Sequence, residues 1–357
     1  MVRPMTWLPQ VYQRWQVFWD RAVPAAGLAL LLWASSRATG AYPFEWELFL
    51  TAALFVVGLL WPWVAYAAFT FLVAYPLYRV SIYVAAIVLA ALILTSRWAM
   101  RNLGAAVLVL LCPALLPWHL AATVPLLAGL WWGELAGALA GGLAALWLKL
   151  LAGMAGQPLN LAQLSGQPLA SAHIIQRYSG FNSLQTLVEL VNPFAGTSPA
   201  LLLHVLQVLA WALAGYLAGW MTRRTWSERW RGWAPLLGLV PSGAVLWGCM
   251  ALLPALLGLP PAESTAPGDD LLLWVLASAL LGAVLRRFYL YLRRPVRRPS
   301  RRAARPDPRD PRPRRAPATG PSVARRGEAQ QAFQWMASQG TPPASDADDD
   351  IIMLEID

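Results

Sequence analysis

Two long stretches without a charged side chain, Thr51–Tyr78 and Leu103–Gly133, set the terms on which this chain can fold. Water tolerates such runs only inside a large core, whereas a bilayer asks for them: one helical crossing takes about 20 predominantly apolar residues. The 357 residues are 58% hydrophobic and 13% charged, about half the charge of an ordinary soluble domain. The expected fold class is therefore all-α, a polytopic transmembrane helical bundle.

Apolar segments fall near Ala22–Ser36, Glu47–Leu60, Trp63–Leu77, Ile82–Thr95, Leu103–Pro117, Ala121–Trp132, Leu135–Ala152, Pro199–Met221, Ala234–Leu257 and Leu271–Leu290. Several are shorter than a lone crossing prefers, so neighbouring pieces can be broken or re-entrant, and about eight to ten crossings are expected. Residues 1–21 mix Trp7, Trp15, Phe18 and Trp19 with Arg3, Arg14 and Arg21, the pattern of an interfacial amphipathic segment. Residues 22–292 form the bundle, 153–198 an extracytoplasmic segment, 293–345 a disordered tail, and 346–357 a terminal peptide.

Short loops rich in arginine stay cytoplasmic. Arg97–Arg101, Arg223–Arg231 and everything beyond Arg286 are expected there, with both termini, in a cell (inner) membrane; Arg79 is the exception. Arginine in place of lysine, together with abundant Ala, Gly and Pro, fits a GC-rich bacterial genome. Many of the twenty tryptophans lie at proposed helix ends and read as an aromatic belt at headgroup level.

Glycines recur every fourth residue at Gly129, Gly133, Gly137 and Gly141, and a second smooth face carries Gly215 and Gly219 among Ala210, Ala214 and Ala218. Both contain the string AGxLAG, and both are expected to be helix-packing surfaces, where the missing side chains let backbones approach. An inverted repeat would produce the same strings, but so does Ala/Leu/Gly composition.

Few groups carry chemistry. Glu134 and Lys149 are the only charges in the central spans; Glu134 follows two tryptophans and Lys149 lies near a helix end, so both are expected to anchor at interfaces. His119, His173 and His204 fall on one side of the expected topology. Three imidazoles with Glu189 nearby have the chemistry of a transition-metal site or a proton relay, although their spacing matches no local motif. Cys112 and Cys249 read as core thiols. No HExxH, GxxxxGK[ST], CxxC or GxSxG is present, and Ser242 has no histidine in a later helix to serve as its base, so no catalytic residue and no cofactor are assigned.

Within 153–198, Gln185, Leu184, Leu187, Val188 and Val191 have helical spacing behind a capping Asn182, which predicts a short amphipathic helix that covers or lines the outer face. The tail alternates Arg and Pro, has nothing to bury, and is expected to touch anionic headgroups rather than nucleic acid. Its last residues place Ile351, Ile352, Met353, Leu354 and Ile356 after an acidic cluster, in the manner of a peptide that docks on a cytoplasmic protein. Two functions follow: a transport or permeation component binding a small solute, or a membrane anchor that recruits a partner through this peptide.

Overall fold

The computed structural model describes residues 7–169, 171–178, 183–192, 197–223, 234–259 and 268–293. They belong to the first of two units, Met1–Val296. Apart from Arg293, the expected tail and its terminal peptide lie outside the described residues, as does Asn182. The protein is all-helical over what is described, and five helices are long and apolar enough to cross a membrane.

The helices are α1 (Trp7–Arg14), α2 (Gln16–Thr39), α3 (Phe44–Leu60), α4 (Pro62–Val80), α5 (Ile82–Arg101), α6 (Leu103–Leu115), α7 (Thr123–Trp132), α8 (Glu134–Ala155), α9 (Leu161–Leu164), α10 (Ser171–Tyr178), α11 (Ser183–Val191), α12 (Ser198–Arg223), α13 (Ala234–Ala251), α14 (Leu253–Leu256) and α15 (Gly268–Leu292). Single residues separate several of them. Pro62 opens α4 directly after Trp61, because a proline is tolerated at the first helical position but cannot donate into the turn before it. At the α4–α5 break, Ser81 turns extended and its hydroxyl caps the Tyr83 amide.

At one end of the bundle the Arg21 guanidinium meets the Leu59 carbonyl, and Arg286 lies over the Trp131 ring. Tyr289, beside it, stacks edge-on against Tyr12 of α1. At the other end, Arg37 of α2 pairs with the buried Glu47 of α3 at 3.1 Å, and α9–α11 cover the helix ends. Outward-facing residues such as Leu94 (83% exposed), Phe71 and Leu139 are apolar, which is what a hydrocarbon solvent requires and water does not.

α7 departs from a simple count of crossings. Its ten residues rise about 15 Å, half of a hydrocarbon core of about 30 Å, and Thr123–Leu130 are buried throughout. In the α6–α7 turn Trp118 is exposed and His119 is half-buried. The α9 segment descends onto it: the Gly166 amide donates to the Leu116 carbonyl, and His119 Nδ1 meets Ser165 Oγ at 3.2 Å.

The glycine stripes form the contact among α7, α8 and α12. Gly133, at φ 89°, is the one-residue turn between α7 and α8, a conformation that side chains of L residues rarely adopt. A Cβ on Gly137 would fall 2.5 Å from both the Gly129 Cα and the Gly215 oxygen; one on Gly141 would run into the Trp211 carbonyl, and one on Gly219 into the Glu134 amide. Pairing 137 with 215 and 141 with 211 is the antiparallel register. Ala140, Ala144, Ala214 and Ala218 complete a seam with no exposed surface.

Candidate functional site

α8 separates two environments. Along one face, Trp147, Leu151 and Met154 line an apolar cavity of about 190 Å³ shared with α2, α4, α5, α6 and α10. The spacing of these three residues, four and then three, is that of one helical stripe. The cavity reaches from Phe69 and Leu92, midway along α4 and α5, to Leu77 and Val84 near the ends of those helices, where Ile174 of α10 also lines it. Ser35 is its only hydroxyl, and that hydroxyl donates to the Leu32 carbonyl. Trp147 is part of the cavity wall, and its indole N–H is buried with no hydrogen-bond partner among the described residues.

α10 and α11 pack against this wall. Arg177 of α10 pairs with Glu189 of α11 at 2.5 Å and donates to the Gly153 carbonyl at the end of α8. Tyr178 is buried beside Met154. That burial raises its phenol above the usual tyrosine range, while the neighbouring Arg177 pulls the other way.

On the opposite face of α8, Lys149 is 2% exposed. Its place near the helix end predicts an ammonium that snorkels to an interface, but the side chain is enclosed by protein. Its Nζ donates to the Leu159 carbonyl and to Gln207 Oε1, each at 2.7 Å, and meets His204 Nδ1 at 3.2 Å. Gln207 Nε2 in turn donates to Asn160 Oδ1 at 2.7 Å, and that oxygen also accepts from the Ala162 amide, which opens α9. Burying an ammonium in a membrane bundle is costly unless every N–H finds an acceptor, and here each one does. The sequence contained a signal for this: His204 and Gln207 are three residues apart in an apolar helix, hence on one face.

His119 and His204 have different partners. His119, at φ 58°, stacks on Trp274 with ring centroids 3.8 Å apart and contacts Ser165, whereas His204 belongs to Lys149. The side chain of His173 is outside the described residues. Among those described, no three His, Cys, Asp or Glu side chains gather where a metal ion would be held. Glu134 opens α8 where Gly219 crosses it. Cys112 is buried, and both thiols are free.

Comparison with protein-family models, with curated proteins and with solved structures finds no match.

Proposed function

We propose that this integral membrane protein is a transport or permeation component that binds a small apolar or weakly polar solute between α2, α4, α5, α6, α8 and α10. The observation that carries this reading is the cavity. A space of about 190 Å³ exceeds the roughly 150 Å³ of an aliphatic cavity that stays dry and takes up benzene. Its lining runs from the middle of α4 and α5 to the ends of those helices that lie beside α10.

The proposed orientation puts α9–α11 on the extracytoplasmic face of a bacterial inner membrane. Arg21, Arg97, Arg101, Arg286 and Arg293 gather at the opposite end, where the positive-inside rule asks for them. Arg37, the arginine nearest α3 on the outer side, is paired with Glu47.

The test is to identify by mass spectrometry the small molecules that stay with the full chain in lipid nanodiscs, and to repeat this with Val88→Trp and Leu110→Trp, which fill the cavity. A bound solute is expected to fall at least about tenfold in both variants, a loss of ~1.4 kcal/mol. Recovery of bilayer lipid alone, unchanged by either substitution, would contradict the proposal.

A second reading, as a membrane anchor, rests on the acidic and then aliphatic C-terminal peptide, with the Arg-rich stretch before it held on anionic headgroups. Deleting Asp346–Asp357 is expected to release a co-purifying cytoplasmic protein while the bundle stays folded; retention of every co-purifying protein would remove this reading.

A further inference from the structure

We propose that Lys149 and His204 form a one-proton binding site, which loads and unloads through the imidazole at the end of the bundle covered by α9–α11. It is independent of whether the apolar cavity carries a solute.

The surroundings of Lys149 Nζ fix what it can do. The Leu159 carbonyl only accepts. Gln207 also presents an acceptor, because its amide cannot turn round: Asn160 Oδ1 is committed as an acceptor by the Ala162 N–H, so Gln207 must point Nε2 at it and Oε1 at Lys149. The third neighbour, His204 Nδ1 at 3.2 Å, is the only one of the three able both to take and to give a proton.

Three protonation states therefore fit the same heavy-atom positions. In the first, the Lys149 ammonium donates to all three acceptors and His204 carries its own hydrogen on Nε2. In the second, one Nζ–H bond has broken and an Nδ1–H bond has formed; the neutral amine still donates to Leu159 and Gln207, and its lone pair accepts from the imidazolium. In the third, the Nε2–H bond of that imidazolium has broken, its proton passing to water, and the neutral imidazole still donates through Nδ1 to Nζ. No hydrogen bond within the cluster is lost at any step.

Loading stops at one proton. A second would leave two cations 3.2 Å apart, with no carboxylate among the described partners of either, in surroundings that screen charge poorly. The other titratable groups nearby do not change this. Cys249 of α13 is in electrostatic contact with Lys149, and its thiol points to the Leu206 carbonyl. Past the end of α8, Arg177 is already paired with Glu189. The loop before α9 and α9 itself bring the Leu159 carbonyl, the Asn160 amide and the Leu161 and Ala162 N–H groups to the cluster, none of which titrates. His204 is partly exposed and sits six residues into α12, about 9 Å from the helix start, within reach of interfacial water.

Lys149 is the only lysine in the chain, so lysine labelled with ¹⁵N and ¹³C gives a single side-chain resonance. The experiment is a pH titration of the full chain in nanodiscs with labelled lysine and histidine, the His204 signals being identified by their loss in His204→Gln. The Lys149 and His204 signals are expected to move together in one step, and the Lys149 signal to lose that step in His204→Gln. A Lys149 ammonium that stays fixed while His204 titrates by itself would overturn the proposal. The wild-type titration decides this even if the variant fails to fold.

Discussion

Gly137→Ala is expected to destabilise the bundle by about 3 kcal/mol, and Gly215→Ala by as much, the upper end of what overpacking usually costs. The added methyl at 137 falls 2.5 Å from the Gly129 Cα and the Gly215 oxygen, and the one at 215 meets the Gly137 carbonyl. Backbone cannot rotate away as a long side chain can, so α7, α8 or α12 must shift, and each displacement opens the alanine seam on either side of the contact. Gly248 on α13 is the control, since nothing lies within 4 Å of its absent Cβ. Gly248→Ala is expected to be neutral, or stabilising by up to about 1 kcal/mol through helix propensity. Equilibrium unfolding in mixed micelles measures all three. Equal tolerance at 137, 215 and 248 would mean that the backbones are not in contact.

Gln207→Leu is expected to cost about 3 kcal/mol, because it strips an acceptor from a buried ammonium and a donor from Asn160 at once. The sign of the second substitution is more telling than the size of the first. Adding Lys149→Met to Gln207→Leu removes the charge that has lost its partner, so the double variant is expected to be more stable than Gln207→Leu alone by about 1 kcal/mol or more. Simple additivity of the two losses would show that Lys149 finds other acceptors, and that the cluster is not the closed set of hydrogen bonds described above.

The sequence announced the helices better than it announced their contacts. Leu135–Ala152 is observed as Glu134–Ala155, and Pro199–Met221 as Ser198–Arg223, because an apolar run in a bilayer has little choice but to close its own backbone hydrogen bonds. The helix expected behind Asn182 is present as Ser183–Val191, while α9 and α10 were not foreseen; at four and eight residues they are too short for apolar periodicity to register. Lys149 illustrates the limit most clearly. Its position along α8 follows from counting residues, but its direction around the helix axis depends on what packs there, and one of its acceptors is the carbonyl of Leu159, which no side-chain pattern reports. His119 and Ser165 are 46 positions apart, and no local pattern in the sequence reports their contact.

The cavity is tested most directly by photolabelling the full chain in nanodiscs with a small alkyl diazirine and mapping the adducts by mass spectrometry. The expected result is labelling of Val88, Leu92 and Leu151 that is blocked by Leu110→Trp, in addition to the lipid-facing Phe71, Leu94 and Leu139, whose labelling does not change. Adducts confined to the lipid-facing residues would mean that no apolar molecule enters between α5 and α8, and the proposal of a solute-binding bundle would fail.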